Sequence, residues 1–178
     1  MLPDRPSLSM VDILCYRGER MPETTPAWLA ERLRKEGEKV VAYFSALTDD
    51  QWDAEVYTEG DTWTVRNVLA HFVTSERGLH KLFESVLEGG LGASDDFSID
   101  RYNARQQEKT KDLTPQELLK QFIDVRADLA QWVSKLSQEN LAVEGRHPYL
   151  GQVNLDEMLK MIYLHNQIHF RDFRKLVE

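Results

Sequence analysis

The sequence predicts an all-α fold, a four-helix bundle with a long crossover between helices two and three, and two patterns carry that reading. Apolar residues recur at three- and four-residue spacing in four separate stretches, and helix-start signals open them. No valine- or isoleucine-rich stretch alternates with polar residues, so no sheet is expected. A chain of 178 residues that is 42% hydrophobic suits a single domain with one core.

Helix one is expected over about residues 26 to 47. Thr25 and Pro26 supply an N-cap and a first-turn proline, and Leu29, Leu33, Val40, Phe44 and Leu47 line one face. Gly37 falls on the same face, where its missing side chain lets a neighbour approach, and Glu36 borders it. Thr48 with Gln51 then reads as a capping box opening a short helical turn before Trp52.

Helix two is expected over about 65 to 88. Thr64 is its N-cap, and Val65, Val68, Leu69, Phe72, Leu79, Leu82, Phe83 and Val86 give the helical period. From Glu88 to Leu113 that period breaks at Gly89-Gly90-Leu91-Gly92, leaving room for a short helix around Arg101 to Glu108. The glycines lack the preceding strand and following lysine of a phosphate loop, and read as a bend.

Thr114, Pro115 and Glu117 combine N-cap, first-turn proline and box acid at the start of helix three. Leu118, Phe122, Val125, Leu129, Trp132 and Leu136 mark its buried face. The segment Leu136 to Leu141 repeats the form of Leu47 to Trp52, so the two halves of the chain echo each other. Asn154 and Glu157 form a further box before helix four, about 155 to 177. Residues 1–24 read as a weakly structured arm and 25–178 as the bundle, with Met21 a candidate start.

The balance of 22 basic and 30 acidic side chains, a net charge of -8, argues against binding nucleic acid or anionic lipid, which need a massed positive field. The single cysteine, Cys15, cannot form an internal disulfide, and no argument from the sequence places a basic group beside it to make it a catalytic thiol. No apolar run reaches the ~18 residues of a bilayer-spanning helix, and Asp12 interrupts the stretch near the start. The expectation is a cytoplasmic protein with neither signal peptide nor anchor.

Chemistry concentrates on helix four. Leu155, Met158, Leu159, Ile162 and Phe173 form one stripe, and His165, Asn166 and His169 fall inside it. Four-residue spacing puts both imidazoles on one face, within reach of one divalent ion. Two buried neutral histidines with local hydrogen bonds satisfy the same pattern. Asn166 stands where zinc proteases of the His-Glu-x-x-His type carry their glutamate, so that mechanism is not supported. A third ligand has two candidates on helix two, His71 and His80, and the helical wheel places His80 nearer the apolar centre. His147 precedes a proline in a loop and is expected to be exposed. Trp28, Trp52, Trp63 and Trp132 could form a ligand cage, but Trp132 on the helix-three stripe and Trp52 after its capping turn read as packing residues.

Three segments decide between the helix-two histidines: Trp63 to Phe72, Leu150 to Leu155, and Tyr163 to His169. In order and spacing they resemble the DinB-like superfamily of bacterial four-helix bundles, across about Trp28 to Leu176. The resemblance implies a metal triad of His71, His165 and His169 that holds nickel or zinc. It further implies a homodimer and a metal-dependent enzyme acting on a small-molecule substrate by transfer or hydrolysis, with a low-molecular-weight thiol as a possible co-substrate. Asp172, Glu36 and Asn166 are candidates for orienting ligands or substrate. The alternative is a non-catalytic, dimeric stress-response or small-molecule-binding module with a structural metal or simply buried histidines.

Overall fold

The computed structural model describes residues 24–59 and 62–177, so the arm readings, including Cys15 and Met21, lie outside the described residues. Four long helices form the bundle: α1 (Pro26–Ser45), α3 (Val65–Leu87), α5 (Pro115–Val133) and α7 (Leu155–Val177). Between them run α2 (Asp49–Trp52), β1 (Glu55–Tyr57), β2 (Trp63–Thr64), α4 (Ile99–Thr110), α6 (Gln138–Leu141), β3 (Glu144–His147) and β4 (Gly151–Asn154).

The sequence echo is a repeat in structure. In each half a long helix is followed by a four-residue capped helix, a two-stranded antiparallel hairpin and a second long helix. The Thr48 N–H donates to Gln51 Oε1 at 2.9 Å, and the Ser137 N–H donates to Asn140 Oδ1 at the same distance. Even the entry to the second helix repeats: Val65 N–H donates to Ala54 O at 3.0 Å, and Leu155 N–H to Val143 O at 2.9 Å. The hairpins correct the expectation that no strands form. Each strand is two to four residues long, too short to show alternation, and pairs because its flanking helices bring the backbones together.

α5 packs on α1 and α3, and α7 packs on α1 and α3 from the other side. The sequential pairs α1/α3 and α5/α7 are therefore diagonal, spanned by the capped turns and hairpins. The long connection from 88 to 114 carries α4, which packs on α3. It leaves α3 through Gly89, whose φ of 94° lets the chain reverse, and Gly92 at φ 89° lies against the Arg146 backbone of β3.

At the centre of the bundle Arg126 of α5 bonds to two other long helices, and its partner Glu76 takes a bond from the third. Its Nε and Nη2 donate to Glu76 of α3 at 2.8 and 2.5 Å, and its Nη1 donates to Leu33 O of α1 at 2.9 Å. Asn166 of α7 adds a bond to Glu76 at 3.3 Å. Gly37 makes room for this arginine, since a Cβ there would stand 2.7 Å from Arg126 Cγ. One apolar cluster contains Leu33, Leu129, Met158 and Ile162, and a second contains Phe44, Phe72, Phe122 and Phe173.

Candidate metal centre

His71 stands near the start of α3, where the Thr64–Asn67 capping box fixes the first turn, and its side chain is turned inward by the period that buries Val68 and Phe72. His165 and His169 project from one face of α7 toward it. His71 Nε2 lies 2.9 Å from His165 Nε2, and His169 Nε2 lies 3.1 Å from the same atom. One ligand atom from each of the three residues falls within 4.8 Å of the others. Two nitrogens bound to a common ion at about 2.1 Å are no more than about 4.2 Å apart, so both measured separations fit.

Burial sets the protonation state. It pushes the His71 imidazole down to about 4 from its usual value, against a raising hydrogen bond from Asn103. His165 is lowered well below its ordinary value by burial, with His71 and His147 adding repulsion to its charged form. Neutral imidazole is the form that ligates metal.

A second layer of contacts orients the rings. The Tyr57 hydroxyl, on β1, donates to Asp172 Oδ2 at 2.9 Å and sits 2.7 Å from His169 Nδ1. With its proton committed to the carboxylate, the hydroxyl oxygen accepts from Nδ1–H, which leaves the His169 Nε2 lone pair pointing into the cluster. Trp63 on β2 packs its ring 5.2 Å from that of His71 at 61°. Phe72 flanks His165 and His169 at 5.9 and 5.6 Å and excludes water from one side.

The other singled-out residues separate clearly. His80 lies nine residues beyond His71 on α3, with its ring 5.0 Å from Trp132 and its Nε2 3.8 Å from Glu84, away from the cluster. The expectation that His147 is exposed is overturned: it is 4% exposed, because the hairpin turns it inward with Gly145. Its Nδ1 accepts from the N–H groups of Tyr149 and Leu150 at 3.1 and 3.2 Å. Asp172 reaches the site through Tyr57. Glu36 instead binds Lys39, Gln167 and Arg32, and Asn166 joins the central Glu76–Arg126 network. Trp52 stacks on Phe44 at 5.4 Å as a packing residue. Tyr57 and Asn103 had no sequence signal: one lies on a three-residue strand and the other in the long connection.

The fold and site define a class: a small helical bundle with three imidazoles converging between two of its helices. The chain belongs to the DinB superfamily, whose family model matches residues 32–172. No curated protein matches the sequence. Among solved structures it is similar to YfiT from Bacillus subtilis, described as a probable metal-dependent hydrolase with an unusual four-helix bundle topology. That likeness has a TM-score of 0.70 at 18% identity and covers 90% of this chain and 92% of that one. The sibling lethal factor precursor DfsB is similar at a TM-score of 0.68 and 15% identity, over 87% of this chain and 96% of that one. The colibactin self-resistance protein ClbS, solved in complex with a double-stranded DNA, is similar at 0.66 and 12% identity, over 88% and 98%. At these identities the likeness concerns the fold. Among the described residues no helix is long and apolar enough to cross a membrane.

Proposed function

We propose that His71, His165 and His169 hold one divalent ion, nickel or zinc, and that the protein is a metal-dependent enzyme for small-molecule transfer or hydrolysis. The convergence of three imidazoles on one point, His71 and His169 buried and His165 half-buried, carries the proposal. A bound divalent ion supplies positive charge that acidifies a water or thiol and polarises a substrate oxygen. The chain's own groups hold and orient the donors. Tyr57 and Asp172 set the His169 tautomer, and the rings of Phe72 and Trp63 pack against the cluster. Among the described residues the cluster offers three such donors and no fourth, which favours a site with room for substrate over a closed structural one.

A low-molecular-weight thiol is the co-substrate in the transfer branch of this reading, and a homodimer in the cytoplasm is the working assembly. The DNA-bound relative raises a nucleic-acid partner, but a net charge of -8 favours small molecules over phosphodiesters here. The test is metal analysis of untagged protein. Stoichiometric metal in the wild type, lost in His71→Ala, His165→Ala and His169→Ala, supports the site, whereas equal and negligible metal in all four proteins removes it. Retained metal with a protein-saturated coordination sphere and no response to any thiol or ester substrate supports the non-catalytic module instead.

A further inference from the structure

The β1–β2 hairpin and one face of α4 border an open pocket of about 360 Å³, within the size range of small-molecule sites. Its inner wall backs onto the histidine cluster, with Tyr57 and Trp63 standing between the two. Tyr57 and Trp63 line it while touching His169 and His71, and Asn103, 8% exposed, lines it as well. The wall on α4 is held in place beforehand. Arg66 of α3 donates to the carbonyls of Thr110, Lys111 and Leu113, and the Tyr102 hydroxyl donates to Thr74 O at 2.8 Å.

The charge of this wall is one-sided. Glu59, Asp100 and Glu108 line the cavity with a single cation, Lys111, whose Nζ is 2.6 Å from Glu108 Oε1. Glu59 and Asp100 have no cation beside them among the described residues. The carboxamides of the wall are already engaged: Asn67 Nδ2 donates to Gln107 Oε1 and Gln107 Nε2 donates to Asn67 O, both at 2.9 Å. An anionic ligand would meet two unpaired carboxylates, whereas an ammonium group meets those carboxylates and the rings of Trp63 and Tyr57, which attract cations.

We infer that this cavity is the substrate pocket of the metal centre and that it takes a small molecule carrying an ammonium group, with its reacting end toward the three histidines. The inference rests on the metal site proposed above. It is tested with three thiols that differ in their far end: cysteamine is cationic, 2-mercaptoethanol neutral and 3-mercaptopropionate anionic. Each is titrated calorimetrically into full-length, nickel-loaded protein at low salt, and into the doubly substituted Glu59→Gln/Asp100→Asn protein. The preference for cysteamine over 3-mercaptopropionate is expected to fall about tenfold in the variant and to shrink as salt rises. Comparing ratios between two proteins cancels differences in thiol acidity.

The two substitutions lie on exposed residues that do not touch the histidines, so metal content serves as the control for an intact site. An unchanged preference in a variant that retains its nickel overturns the ammonium pocket while leaving the metal centre standing. Failure of all three thiols to bind nickel-loaded protein also overturns it, because the cavity then does not open onto the ion. Failure of the wild type to hold nickel or zinc removes the metal centre and this pocket together, and is read from metal analysis before any thiol is added.

Discussion

The Tyr57 hydroxyl lies 2.7 Å from His169 Nδ1, although the two residues are 112 positions apart in the chain. Asp172, one turn beyond His169 on α7, takes the hydroxyl proton and so fixes which His169 nitrogen faces the cluster. Removing the hydroxyl in Tyr57→Phe is expected to weaken metal binding by about 10- to 100-fold, the cost of losing a partner that orients a ligand, with little change in folding stability. Competition with a chelating indicator measures this. An affinity equal to wild type would show that His169 is oriented without the tyrosine.

Tyr57 also marks the limit of what the sequence discloses. The long helices were legible because each carries many apolar residues at one period and a cap that declares its start, as Thr114, Pro115 and Glu117 do for α5. The His165/His169 pair was legible for the same reason, being two positions on one helix. The choice of His71 over His80 was not legible from the helical period, because both sit on the inner side of α3 and the packing of α3 against α7 selects one; the resemblance of three segments to a known family pointed to His71. The strands escaped notice since their pairing is set by distant helices, and with them went Tyr57 and the inward turn of His147. The arginine opposite Gly37 is a further case: the need for a small residue was readable, but its neighbour lay 89 positions away.

That arginine gives the second prediction. Glu76 and Arg126 are 1% and 4% exposed, so Arg126→Met leaves a carboxylate in the core without its countercharge, at an expected cost of about 3–5 kcal/mol in urea unfolding. The double change Glu76→Met/Arg126→Met removes both charges and is expected to recover most of that loss. Gly37→Ala pushes a methyl against Arg126 Cγ and is expected to cost about 1–3 kcal/mol. A double variant as unstable as Arg126→Met would mean that the pair's geometry, rather than charge balance, holds the four helices together.

Trp63 provides an optical report on the metal centre. Its ring is 5.2 Å from that of His71, closer to the cluster than Trp52, which stacks on Phe44, or Trp132, which packs on His80. Nickel bound by the triad is expected to quench Trp63 emission, whereas zinc, with its filled d shell, is not. Trp63→Phe should abolish the nickel-dependent component, and so should His165→Ala. Quenching that survives both changes would place the ion elsewhere.

The buried histidines make stability depend on pH in a stated direction. Burial lowers His147 to about 4, and its Nδ1 can accept the two backbone N–H groups only while the ring is neutral. The unfolded chain, with an ordinary value near 6.5, binds more protons than the folded one between those limits, so unfolding free energy rises with pH there. The contribution is fully present above about pH 6.5 and is lost as the pH falls through 4. His71, also lowered to about 4 by burial, adds in the same sense to the metal-free protein. His147→Asn keeps an acceptor near the backbone amides but cannot titrate. It is therefore expected to remove about 3 kcal/mol of the stability lost between pH 6.5 and 4, as read from urea midpoints of metal-free protein at a series of pH values. If the variant loses stability with the same slope as wild type, the proton taken up on acid unfolding does not belong to His147.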